Sequence, residues 1–111
     1  MADFALSEKS TDSGCTVLGL VGELDLAGAA TMRAAGLAAL GQLDCTTLVL
    51  DVTALTFVDS TGIGSWVELR NHANEHDQCL VLRGVSENLT RVLTIAGLVS
   101  LFNIDAPDGP A

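Results

Sequence analysis

The sequence predicts an α/β fold: a mixed β-sheet made of an N-terminal hairpin and βα units, with helices mainly covering one face. Three observations predict it. Two strand-like runs come first, separated by a turn. Apolar runs of strand length then alternate with stretches of helical period, the order that builds a sheet with helices packed on it. Finally, 49% of the 111 residues are hydrophobic but only 4% are aromatic and none is Tyr, so the core must be aliphatic. That length suits one domain, expected over 1–111 with an ordered core from about Phe4 to Ile104 and a tail from Asp105 onward.

Phe4 to Ser10 alternates weakly, as an edge strand does, and Asp12-Ser13-Gly14 reads as the turn of a hairpin. Thr16 to Val21 has the composition of a strand buried on both faces. Gly22-Glu23-Leu24-Asp25 is read as the turn that ends it. From Leu26 to about Leu40 the period becomes helical, with Leu26, Ala30, Leu37 and Leu40 on one face and Asp25 as the N-cap. Gly36 inside this helix costs about 1 kcal/mol relative to Ala, and Gly41 is placed to end it. Thr46 to Val52 is a second buried strand, and Thr53 to Val58 is read as a connection. The segment Asp59-Ser60-Thr61-Gly62-Ile63-Gly64 leads into a helix whose apolar face carries Ile63, Trp66, Val67, Leu69 and Ala73. Cys79 to Leu82 is a strand. Ser86 caps a last helix with Leu89, Val92, Leu93 and Ala96 on one stripe and Gly97 at its end. Leu101 to Ile104 forms a final short strand, and Ala106 to Ala111 a frayed tail.

The net charge of −9, with five Lys and Arg and Lys9 the sole lysine, excludes the clustered cations that phosphate-backbone or anionic-membrane binding requires. It suits a soluble protein meeting a basic or mixed-charge protein partner. The N-terminus lacks a signal pattern and no apolar run is long enough to span a bilayer, so a cytoplasmic location is expected. Cys15, Cys45 and Cys79 are odd in number and lack CxxC spacing, and they read as small residues in a reducing compartment. No metal site or cofactor is expected.

The segment around Ser60 is unusual. Asp59 and Ser60 are both good caps, and Gly62 and Gly64, lacking Cβ, permit close approach of a backbone or a bulky ligand while weakening the helix start. A phosphate on Ser60 would be tolerated by the helix N-terminus and would add about −1.5 to −2 charges beside Asp59. On composition alone, the hydroxyl of Ser60 reads as a cap.

Asp51-Val52 followed by Phe57-Val58-Asp59-Ser60-Thr61-Gly62-Ile63-Gly64 resembles the signature of the STAS domain. Gly22-Glu23-Leu24-Asp25 resembles that family's second marker, a Gly-acid-aliphatic-Asp turn. The resemblance runs along nearly the whole chain and is strongest to single-domain bacterial anti-sigma factor antagonists. It implies that the chain binds an anti-sigma factor that is also a serine kinase and thereby releases a sigma factor. It also implies that phosphorylation of Ser60 blocks binding and that a separate phosphatase resets the switch. By motif, Thr61 holds the neighbouring Ser/Thr position. Asp25, Glu23 and Asp59 form an acidic patch for the partner, with Gly62, Ile63 and Gly64 in the same partner-binding segment. A weak homodimer is left open.

An enzyme is not expected. His72 and His76 lie several helical turns beyond Ser60, and no GxSxG, P-loop or GxGxxG occurs, so any ATP is bound by the partner. A receiver domain would need a lysine late in the sheet, and Lys9 lies near the start. The remaining alternative is a non-switching STAS subunit of a lipid or anion transport complex. Arg70 falls within the apolar stripe of its helix and is expected to snorkel outward, while Trp66 is expected in the core.

Overall fold

The computed structural model describes residues 4–10 and 14–105. The expected turn at Asp12 and Ser13 and the tail from Ala106 lie outside the described residues. Five strands form one sheet in the order β1-β2-β3-β4-β5: β1 (Phe4–Ser10), β2 (Cys15–Leu24), β3 (Thr47–Val58), β4 (Cys79–Arg83) and β5 (Asn103–Asp105). β1 pairs antiparallel to β2, and every later pair is parallel. The connections between parallel strands carry α1 (Leu26–Leu40), α2 (Ser60–Glu75) and α3 (Glu87–Ile95), with a 3-10 turn at Val99–Leu101 before β5. Each crossover steps to the next strand in the same direction, so right-handed crossovers place all three helices on one face.

That face holds the core. Leu18, Leu20 and Leu24 of β2, Leu48, Leu50 and Val52 of β3, and Leu80 and Leu82 of β4 form one cluster with Met32, Trp66, Leu69, Leu89 and Leu93 of the helices. The other face is only partly covered: Val49 of β3 is buried there, but in β2, expected to be buried on both sides, Val17 is half-buried and Val21 exposed. Trp66 is fully buried, its ring edge-on to Phe102 with centroids 6.4 Å apart.

The last strand is shifted from expectation: Leu101 belongs to the 3-10 turn, and β5 takes in Asp105, expected in the tail. Two boundaries nearer the site also differ. Gly22 and Glu23 belong to β2, and Thr53 to Val58 continue β3 instead of forming a connection. The reason is a pair of β-bulges. Between Gly19↔Asp51 and Val21↔Ala54, and again between Gly22↔Leu55 and Glu23↔Phe57, β3 advances one residue more than β2. Each bulge breaks the two-residue alternation by which a strand is recognised. The Asp51 carboxylate stabilises the first, accepting from Thr53 N (3.0 Å) and Thr53 Oγ1 (2.6 Å).

The inward face of α1 also differs. Leu26, Ala30 and Leu37 are exposed, and Gly28, Ala29, Met32, Gly36 and Ala39 are buried alongside Leu40. An almost wholly apolar helix gives periodicity little contrast, and the tight space against α2 selects small residues instead of large ones. A Cβ on Gly36 would lie 2.6 Å from Leu69 Cδ1, so this glycine sets the approach of α1 to α2. Arg33 and Glu68 bridge the two helices beside that contact (3.2 Å), an exposed pair contributing about 0–1 kcal/mol.

The caps follow local chemistry. Asp25 Oδ1 accepts from Gly28 N (3.2 Å), and Ser86 Oγ accepts from Leu89 N (3.0 Å). α3 ends in a Schellman motif with Gly97 at φ 75°, Leu98 N donating to Leu93 O. α2 ends the same way with Asp77 at φ 57° in the glycine position, Gln78 N donating to Ala73 O. Gln78 Nε2 then donates to Leu40 O (2.8 Å) and Cys45 O (2.9 Å), tying the end of α1 to the start of β4. Arg70 is half-buried and donates to Asn71 Oδ1 (3.1 Å).

Because Leu69 is sealed in the core beneath Gly36, a β-branched side chain there has no room to turn away. Gly36→Val is expected to destabilise the fold by about 1–3 kcal/mol, read as a lowered urea midpoint with an unchanged slope.

Candidate functional site

The parallel pairing of β2 with β3 runs to Leu24↔Val58, so the two strands end together. Asp25 follows the first and Asp59 the second, and each caps a helix. Asp59 N donates to Leu24 O (3.2 Å), joining the two helix starts through the backbone. Glu23 sits one rung back, opposite Phe57. The paired strand ends thus bring Glu23 and Asp25 to the same edge of the molecule as Asp59, which is distant from them in sequence.

Asp59 settles the question of the cap. Its Oδ1 accepts from Gly62 N (2.9 Å), and Ile63 N begins the helical hydrogen bonds by donating to Asp59 O (3.0 Å). Ser60 is therefore the first residue inside the helix and does not cap it. Its side chain is exposed, and among the described residues its hydroxyl meets no protein partner. Of the first-turn amides, Gly62 is taken by the cap, and those of Ser60 and Thr61 have no protein acceptor among the described residues. An anion carried on Ser60 would sit next to those two donors and at the positive end of the α2 dipole.

The neighbouring residues divide. Thr61 is exposed and lines a furrow between α1 and α2 together with Leu26, Ala30, Arg33 and Glu68. Gly62 and Ile63, expected in the partner-binding segment, are turned inward and buried. A Cβ on Gly62 would lie 2.7 Å from Val58 Cγ2 and 2.9 Å from Leu24 Cγ, so its missing side chain serves internal packing, not the approach of a ligand. Gly64 faces open space, with nothing within 4 Å of where its Cβ would be. His72 and His76 stack on each other at the far end of α2, with ring centroids 4.3 Å apart. Among the described residues no group of three or more His, Cys, Asp or Glu is placed to hold a metal ion.

Two residues near Ser60 escaped the sequence reading. Leu26, 71% exposed, and Phe57, 51% exposed, stand beside the two caps as large apolar groups in water. Their signal is position, Leu26 directly after Asp25 and Phe57 two residues before Asp59, masked by the reading of Leu26 into one helical face and of Phe57 into a connection.

Comparison with known proteins bears on this geometry. The family model described as Mlab, STAS domain matches residues 7–102. The chain belongs to the STAS domain family. An anti-sigma-B factor antagonist of Listeria monocytogenes is 34% identical over 62 residues, covering 56% of this chain and 54% of the relative. The chain therefore matches about half the length of that curated relative. Among solved structures, the Bacillus cell fate determinant SpoIIAA in its phosphorylated form is similar with a TM-score of 0.73 at 23% identity, covering 94% of each chain. The murine anion transporter Slc26a9 is similar over 90% of this STAS chain but 19% of its own, with a TM-score of 0.70 at 16% identity. These structural likenesses establish the shared fold, a five-stranded mixed sheet with three helices.

The division between Asp59 and Ser60 has a measurable consequence. Asp59→Ala is expected to cost about 1 kcal/mol through loss of the α2 cap, whereas Ser60→Ala stays within about 0.5 kcal/mol of the parent by urea unfolding.

Proposed function

We propose that this STAS domain is an anti-sigma factor antagonist whose unphosphorylated form binds an anti-sigma factor with serine kinase activity, releasing a sigma factor. Phosphorylation of Ser60 blocks that binding, and a phosphatase restores it. The observation that carries the reading is the freedom of Ser60: it opens α2, is exposed, and is spared the capping task by Asp59. The names of curated relatives agree with the role, and the phosphorylated form of SpoIIAA agrees with a fold that accepts the modification.

The physical chemistry of such a switch is local. Glu23, Asp25 and Asp59 favour a basic partner surface, and Leu26 and Phe57 supply apolar anchors beside it. Adding about −1.5 to −2 charges at Ser60 brings repulsion and bulk into the centre of that contact, while the helix start tolerates the anion. The partner supplies the ATP site, and the chain needs no catalytic group of its own. Asp59 positions the start of α2, and Thr61 lies beside Ser60 on the same contact.

A second reading, a non-switching subunit of a lipid or anion transport complex, draws on the Mlab description of the family model and on the transporter likeness. One experiment separates the two. Incubation with a cognate anti-sigma factor kinase and labelled ATP is expected to label the parent chain and to leave Ser60→Ala unlabelled, and Ser60→Asp is expected to lose capture of the same kinase. Labelling that survives Ser60→Ala, or that maps wholly to Thr61, overturns the site. Capture unaffected by Ser60→Asp overturns the switch.

A further inference from the structure

The sheet is uneven along β3. β4 pairs with Thr47 to Asp51 alone, the last rung being Asp51↔Arg83, whereas β3 runs on to Val58. From Ala54 to Val58 it pairs with β2 on one side only. Gly84 lies against Thr53 and closes the edge there. Beyond it, where a longer β4 would have continued, a groove of about 160 Å³ opens between Leu55, Phe57 and Val58 of the strand and the cap Ser86 with Leu89 and Val92 of α3. Successive strand residues direct their N–H and C=O groups to alternate sides, so this edge presents main-chain donors and acceptors toward the groove. Among the described residues no backbone hydrogen bond reaches them from the α3 side. Thr56 and Asn88 complete the lining, and its apolar residues Phe57 and Val92 are 51% and 37% exposed.

We infer that this groove receives an extended segment of the protein partner, which adds as a short strand to the free edge of β3 and seats an apolar side chain between Phe57 and Val92. Strand addition draws affinity from the main chain and specificity from alternate side chains, and this edge offers both. Two features select the occupant. The free edge runs only from Ala54 to Val58, closed by Gly84 before it and by the start of α2 after it, and so has room for a short segment and not for a long strand. Two acids also flank the lining in sequence: Asp59 follows Val58, and the exposed Glu87 lies between Ser86 and Asn88. A flanking Lys or Arg complements them, whereas a second copy carries its own −9 charge. The inference rests on the Ser60 reading for the identity of the partner and not for the existence of the groove.

The test uses the full unphosphorylated chain without any kinase. Random seven-residue peptides are selected on the immobilised protein, and an enriched peptide is titrated into ¹⁵N-labelled protein beside the same peptide N-methylated at alternate residues. Enriched sequences are expected to alternate apolar and β-branched residues with a terminal Lys or Arg, and to shift the amides of 54–58 and 86–92. They are expected to weaken by about tenfold or more on N-methylation. Val92→Glu, at an exposed position, is expected to weaken binding while the melting profile is retained. Enriched peptides that shift amides elsewhere, binding indifferent to N-methylation, or selection that retains no peptide overturns the inference. Peptide binding without kinase labelling of Ser60 discards the switch alone, and labelling without peptide binding discards the groove alone.

Discussion

Everything at the candidate site depends on how β2 and β3 end. Parallel neighbours that stop on the same rung leave their following residues side by side, and here each following residue is an aspartate that caps a helix. The hydrogen bond from Asp59 N to Leu24 O fixes this arrangement through the main chain. Two helix N-termini with their positive dipole ends, and three carboxylates that temper them, therefore share a small area. An isolated helix start would offer a hydroxyl at its first residue. Only the paired ends give that hydroxyl an acidic and apolar surround drawn from two connections.

The body beneath is built to stay put. The helix-facing side of the sheet is filled by leucines with almost no exposure, and α1 lies so close to α2 that a glycine is needed at position 36, against Leu69. Gly62 plays the matching part at the site, letting the first turn of α2 settle on Leu24 and Val58. Among the described residues Trp66 Nε1 and Gln78 Oε1 are buried without a hydrogen-bond partner, a cost set against the packing around them.

Much of this was legible in the sequence wherever the governing chemistry is local. Asp25 and Ser86 cap by accepting from amides three residues on, and Gly97 ends α3 because its backbone must turn left-handed, all properties of neighbouring residues. The parallel order of β-α units followed from the alternation of periods. What escaped was set by contacts distant in sequence. The inward face of α1 is chosen by its fit against Leu69 and the sheet, not by the size of Leu26 or Leu37. The full length of β3 was hidden because two bulges destroy the alternation that marks a strand. At the site, Asp59 and Ser60 were equivalent as caps until the structure assigned the capping bond to Asp59. Gly62 was read as open to a ligand and is in fact filled from within.

The close seating of α1 on α2 bears on how information leaves the molecule. A frame in which Gly36 of α1 sits directly on the Leu69 side chain has little freedom to relay a surface change to its opposite side, so a mark at the start of α2 is legible only to a protein that physically covers it. If Ser60 carries such a mark, the partner that both writes it and responds to it must share a single footprint with the protein that erases it. The output would then be governed by relative abundance and residence time, a queue at one docking place, with no change of shape required.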